Sequence, residues 1–307
     1  MKEARMGRRT SLAAFMLLAL LGASPARASH VSGRCDTGIP SDEEIGFDWF
    51  PRGDVFCSLI ADPKSDGSFA SYLRGSSNSA LGTDLASLGV GDRIDLFRIN
   101  GPILGEGIQL GVSGNVYAQF DVNTPSDDLI NADYLVGLPL TMRLGPVSGR
   151  VRLYHQSSHL GDEYLLRPGV QRENFSFESV ETIASLELGA LRVYGGGEVL
   201  FDRTPGTSAS RVAHGGLELR EGGGLAKRGT LGNVRLVGGL DLKAAEERNW
   251  DVAWSARAGF ELGPGSGTSH RTRRLSLLGE YYNGPSPYGQ FFLDQVAYYG
   301  IGIHVGP

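Results

Sequence analysis

The sequence predicts an all-β fold, a transmembrane antiparallel β-barrel of about twelve strands. Three observations carry that expectation. Long segments alternate apolar and polar residues with period two, and they run for ten to fifteen residues. Strands of water-soluble proteins average about five or six residues, whereas a tilted strand crossing a bilayer needs about nine to eleven. The chain also opens on an export signal, and beyond it no apolar stretch reaches the roughly 18 residues a membrane helix requires.

The elements follow in order. Lys2, Arg5, Arg8 and Arg9 form a basic start, Leu12 to Leu21 an apolar run, and Ala26-Arg27-Ala28 a small-x-small cleavage site. Residues 1–28 are thus expected to be a signal peptide and the mature chain to begin at Ser29. No cysteine follows the cleavage site directly, which argues against a lipoprotein. Residues 29–66 form an N-terminal segment that either lies in the periplasm or plugs the barrel. Its cysteines, Cys35 and Cys57, are the chain's only two and could pair in an oxidising compartment.

Residues 67–307 carry the barrel strands. Weaker candidates lie at 69–74 and 92–99. The first long run sets Ile108, Leu110, Val112, Val116, Ala118 and Phe120 against Gln109, Ser113, Asn115, Tyr117, Gln119 and Asp121. The next places Tyr134, Val136, Leu138, Leu140, Met142 and Leu144 on one face. Further strands are expected at 147–158, 175–188, 191–201, 211–220, 234–242, 252–262, 273–282 and 295–305. Tight turns at Gly145-Pro146 and Gly189-Ala190 alternate with longer loops at 123–131, 159–173, 203–210, 245–250 and 283–294, the layout of short periplasmic turns and long outer loops. The polar faces carry Arg150, Arg152, Arg192, Glu198, Arg235, Asp241, Lys243, Arg257 and Glu280, a set that suits a lumen filled by opposite charges.

Composition excludes some functions. A net charge of −5, with both signs spread along the chain, gives a nucleic-acid partner no support. The 45 glycines are dispersed through alternating segments rather than gathered in linkers, so disorder is a poor reading. The triplets Gly195-Gly196-Gly197 and Gly222-Gly223-Gly224 precede no Lys-Ser/Thr pair, and are read as strand or turn glycines rather than phosphate cradles.

The chemistry gathers near the end of the strand at 147–158. Val147, Val151, Leu153, His155 and Ser157 share one face, so an outward apolar side turns an imidazole and a hydroxyl toward lipid at the rim, a costly arrangement unless they are partnered or used. Residues two apart along a strand stand about 7 Å apart at the backbone. His155 can then take the proton of Ser157, which makes the serine a nucleophile. A third group must orient the histidine. Counting back from the turn at 189–190 places Glu178 on the same face at about the same level, with Asn174 as the alternative if the register slides and Glu181 on the opposite face. His159, Asp162 and Glu163 suggest a site in an outer loop for Ca²⁺, or for a divalent ion bridging lipopolysaccharide. A solvated loop tip explains the same residues. His214 and His304 show no evident partner.

Four segments carry a family resemblance: Leu129-Ile-Asn-Ala-Asp-Tyr134, Leu153-Tyr-His-Gln-Ser-Ser-His-Leu-Gly-Asp-Glu-Tyr164, Arg192-Val-Tyr-Gly-Gly-Gly197 and Glu280-Tyr-Tyr-Asn-Gly-Pro-Ser-Pro-Tyr-Gly-Gln-Phe-Phe292. From about residue 50 to the end the chain resembles the bacterial family known as domain of unknown function 1207. That resemblance implies an outer-membrane barrel in a Gram-negative cell, contacting phospholipid or lipopolysaccharide and inserted by the barrel-assembly machinery. Such barrels usually finish on an aromatic residue, whereas this chain ends Ile303-His304-Val305-Gly306-Pro307. His155-Gln156-Ser157 is similar to the His-x-Ser core of outer-membrane phospholipase A and of lipid A deacylase, which implies His155 as general base and Ser157 as nucleophile. Those enzymes continue with Asn, where this chain has Ser158. Three functions follow: a structural or narrow transport barrel, a serine acyl-ester hydrolase of outer-leaflet lipids, or a soluble periplasmic barrel binding an apolar ligand.

Overall fold

The computed structural model describes residues 45–75, 82–101, 103–206, 210–221, 226–229, 232–263 and 273–306. The signal peptide, its cleavage site, Cys35 and Gly222-Gly223-Gly224 lie outside the described residues. Cys57 is disulfide-bonded.

Twelve antiparallel strands close into a barrel: β2 Ser68–Gly75, β3 Asp84–Gly101, β4 Gly105–Asp121, β5 Asp128–Leu144, β6 Val147–Leu160, β7 Phe175–Leu188, β8 Leu191–Thr204, β9 Arg211–Arg220, β11 Gly232–Ala245, β12 Val252–Gly263, β13 Arg274–Pro285 and β14 Gln295–Gly306. Each pairs with its neighbours, and β14 returns to β2, from Tyr298 opposite Gly75 to Val305 opposite Ser68. Two short strands are appended. β1, Gly46–Trp49, lies along the foot of β3, and β10, Ala226–Gly229, pairs with β11. No helix among the described residues is long and apolar enough to cross a membrane.

Every strand expected from the alternation is present. The largest difference is β3, which begins at Asp84 rather than near residue 92. Gly89 and Gly91 leave gaps on its inward face, so the alternation fades there, yet β4 pairs with β3 from Leu85 to Gly101 and β2 from Asp84 to Gly89. Closure leaves no open edge in the wall.

The period-two pattern decides the solvent on each side. On β5 and β6 the outward residues Tyr134, Val136, Leu138, Met142, Leu144 and Leu153 are exposed, while Arg143, Arg150 and Arg152 point inward and are 1–3% accessible. The lumen charges pair across the barrel. Arg143 meets Glu187 at 2.6 Å, Arg150 and Arg152 meet Glu181 at 2.8 and 3.0 Å, Arg192 and Arg220 meet Glu218 at 3.1 and 2.8 Å, and Arg257 meets Glu280 at 3.0 Å. An apolar exterior around an ionic interior inverts the arrangement of a water-soluble protein and matches a wall solvated by hydrocarbon. This overturns the soluble alternative, because a barrel binding an apolar ligand in water would place its apolar face inside.

The two ends differ as the turn chemistry requires. Gly145 at φ 58° and Gly189 at φ 65° open two-residue hairpins, with Pro146 and Ala190 in second place. A glycine at positive φ in the first position is what a type II′ turn demands, and its twist suits paired strands. At the other end the connections are long. The loop after β6 holds a one-turn helix, α1 (Asp162–Leu165), and the loop after β13 folds inward over the lumen. There Tyr288 bonds Ser87 at 2.7 Å, Gly289 N–H reaches Asp133, and Gln290 N–H donates to Ser158 Oγ at 3.1 Å.

Residues 52–66 lie inside the barrel. Val55, Phe56, Leu59, Ala61 and Asp62 are buried, and strands around the wall supply their partners. Arg143 Nε donates to the Val55 carbonyl at 2.7 Å, Arg192 to that of Cys57 at 3.1 Å, and Arg257 to those of Ile60 and Asp62. The Ile60 N–H donates to Glu218, Lys243 to Asp62 at 2.9 Å, and Lys64 to Asp133 at 2.7 Å. Gly239 makes room, since a β-carbon there would stand 3.2 Å from Ile60 and 3.3 Å from Ala61.

Candidate active site on the outer wall

The site is built on the β6–β7 pair. Register places His155 directly opposite Glu178 and Ser157 opposite Ser176. Strand parity turns all four outward with Leu153 and Val180, which are exposed on the same face. His155 Nδ1 lies 3.0 Å from Glu178 Oε1, and the His155 side chain is half accessible. The pair therefore fixes the ring, directing Nε2 away from Glu178. On the other flank Ser157 faces Tyr134 of β5. Among the described residues Ser157 Oγ has no hydrogen-bond partner, the His155 ring included. Asn174 is exposed just before β7, and the partner of His155 is Glu178, not Asn174.

His159, Asp162 and Glu163 are not gathered into one group. His159 packs edge-on against Tyr134, with ring centroids 5.8 Å apart, and its Nδ1 faces an Arg172 nitrogen at 3.1 Å. Asp162 and Glu163 are exposed in the first turn of α1.

Two residues without evident partners in the sequence do have them. His214 Nε2 lies 2.6 Å from Asp241 Oδ2, and His304 Nε2 lies 3.0 Å from Glu280 Oε1. Both partners stand diagonally on a neighbouring strand. His214 is directly opposite Lys243, and Glu280 opposite Gly300, so only the register of the closed sheet brings each pair together.

Sequence reasoning also missed a cavity of about 170 Å³ in the upper lumen. Asp62, Pro63 and Lys64 line it together with Tyr154, Phe177, Glu198, Tyr282 and Tyr288 from the wall and the inward loop. Near it, burial raises the carboxyl of Glu247, in the β11–β12 loop, above the ordinary range. The alternation marked Tyr154 and Glu198 of the wall as inward, but neither the inner segment and loop residues that meet them nor the hollow between.

The family described as "Protein of unknown function (DUF1207)" matches residues 23–306. The chain belongs to that family. No curated protein matches this DUF1207 member. Among solved structures, outer membrane phospholipase A from Escherichia coli aligns with a TM-score of 0.51 at 13% identity, covering 78% of this chain and 90% of the phospholipase. An active-site mutant of the same Escherichia coli enzyme aligns at 0.50 and 12% identity, over 82% of this chain and 93% of its own. At such identity the likeness is one of fold. The DUF1207 chain is an outer-membrane-type twelve-strand barrel.

Proposed function

We propose that this protein is exported by its N-terminal signal peptide, inserted into the outer membrane of a Gram-negative cell by the barrel-assembly machinery, and acts there as a serine acyl-ester hydrolase on outer-leaflet phospholipid or lipid A. The observation that carries the reading is the 3.0 Å contact between His155 Nδ1 and Glu178 Oε1, with Ser157 two residues along the same outward face. A carboxylate on one ring nitrogen frees the other to work as a base, the logic of Ser-His-acid sites.

In the proposed reaction Ser157 Oγ attacks the ester carbonyl as its proton passes to His155 Nε2. Glu178 stabilises the resulting imidazolium. Collapse of the tetrahedral intermediate breaks the bond to the alcohol, which takes its proton from His155. Water then attacks acyl-Ser157 by the same route and releases the fatty acid. An ester in the outer leaflet reaches these groups without entering the barrel. Arg172, at the rim beside His159, suits an anionic headgroup, and Asp162 and Glu163 could hold a bridging Ca²⁺.

Transport is the second reading. Against it stands the lumen, where residues 52–66 and the ion pairs occupy the space a solute would need. We read that segment as a plug.

The deciding experiment is fatty-acid release by the refolded barrel from mixed phospholipid and lipopolysaccharide, with and without Ca²⁺, beside Ser157→Ala. Release that vanishes in the variant supports the hydrolase. No release from a heat-modifiable, folded barrel leaves the passive reading standing.

A further inference from the structure

Halfway up the lumen, on the wall opposite in facing to the outer site, a second group of side chains converges. Glu181 on β7 and Glu198 on β8 are directly opposed across the strand pair. Like charges in that position repel, and a buried pair repels more strongly. Arg150 and Arg152 answer the charge of Glu181. Glu198 makes no direct ion pair among the described residues: Lys243 and Arg152 attract it only from a distance, and its hydrogen bonds come from the hydroxyls of Tyr154 and Ser179.

His214 of β9 completes the group. One of its ring nitrogens and one carboxylate oxygen from each glutamate lie within 4.8 Å of one another. The His214 side chain is 0% accessible, and its Nε2 is engaged by Asp241 Oδ2 at 2.6 Å. Nδ1 is buried and has no hydrogen-bond partner among the described residues. With Nε2–H donating to Asp241, Nδ1 carries a bare lone pair. A carboxylate on one nitrogen and a free lone pair on the other is how metal-binding histidines are commonly held. Asp241 is itself fixed by Tyr194, whose hydroxyl donates at 2.6 Å through space left by Gly216.

We propose that Glu181, Glu198 and His214 bind a divalent transition-metal ion of the Zn²⁺ class inside the barrel. One nitrogen and two carboxylate oxygens suit Zn²⁺ better than Ca²⁺, which prefers oxygens alone. Donors on one tetrahedral ion at about 2.0–2.1 Å are roughly 3.3 Å apart, so small glutamate rotations close the observed spacing. The ion offsets the repulsion between the two carboxylates and satisfies Nδ1. Glu198 and Asp241 both line the upper cavity, which gives the ion a path in and leaves a fourth position facing the hollow. The site shares no residue with His155, Ser157 and Glu178, and stands or falls apart from them.

The test is calorimetric Zn²⁺ titration of the full-length folded barrel after chelator treatment, with Co²⁺ absorption reporting coordination. One equivalent should bind. Glu198→Gln and His214→Asn should each abolish stoichiometric binding and the Co²⁺ spectrum, and Asp241→Asn should weaken affinity about 10–100-fold. Heat-modifiable migration verifies the fold of each variant, and Glu198→Gln, nearly isosteric, keeps the test decisive if His214→Asn does not fold. Absence of binding overturns the proposal. So does binding unchanged in Glu198→Gln, or binding lost only in His155→Ala, which would put the ion at the outer rim.

Discussion

At the scale of single residues, the outer wall and the lumen use the same pairing for different ends. His155 and Glu178 meet on the exposed outer face that also carries Ser157, whereas His214 and Asp241 meet buried inside the lumen. Replacing Ser157 or His155 by alanine should each lower fatty-acid release by several orders of magnitude, since residues acting as one unit fail together. Glu178→Gln keeps the shape and removes the charge. It should cost less, on the order of 10²–10⁴-fold, with an unchanged heat-modifiable fold. Equal loss of fold and activity in all three variants would instead make them structural. The lumen side carries a stability prediction. Arg143 is buried against Glu187 and the Val55 carbonyl, so Glu187→Ala strands a charge and should cost about 3–5 kcal/mol, read as a lower unfolding midpoint in urea.

Turns and the inner segment carry the predictions at the scale of elements. Gly145 occupies the left-handed region at φ 58° with open space around the position of a β-carbon, so a substitution meets backbone strain rather than a clash. Gly145→Val should therefore destabilise the β5–β6 hairpin by about 1–2 kcal/mol, while Pro146→Ala should change stability far less. Segment 52–66 makes a different prediction. Gly239→Leu drives a side chain against Ile60 and Ala61, which already stand closer to an added β-carbon, at 3.2 and 3.3 Å, than ordinary packing allows. The native barrel should show negligible conductance in planar bilayers, and the variant should open to measurable steps. Conductance equal in both would mean that the segment does not seal the lumen. Little in the sequence pointed to its placement, because 52–66 has no periodicity and its partners come from strands as far apart as β3 and β12.

For the whole molecule, closure turns a weak local pattern into a solvent boundary. Each strand needs two neighbours to satisfy its backbone, and β14 finds its second in β2 at the far end of the chain. The apolar exterior then requires hydrocarbon and the charged interior requires internal pairing. A fractionation that recovers the native protein in the outer membrane, resistant to carbonate extraction, is the expected result, and recovery in the soluble periplasm would contradict the insertion proposed here.

Sequence alone determined the fold class, the approximate positions of the twelve barrel strands and, on the long ones, which residues share a face. The outward direction of the apolar face followed from strand length rather than from the alternation itself. Side chains alternate with period two, a rule that holds strand by strand without any knowledge of neighbours. It also put His155, Ser157 and Glu178 on one face, because two share a strand and the third could be counted from a two-residue turn. The tertiary structure decided whatever depends on diagonal register across several strands. That covers Asp241 against His214, Glu280 against His304, the convergence of Glu181, Glu198 and His214, and the threading of 52–66 through the lumen. Those contacts join residues far apart in the chain, and only closing the sheet with one shear brings them within reach of each other.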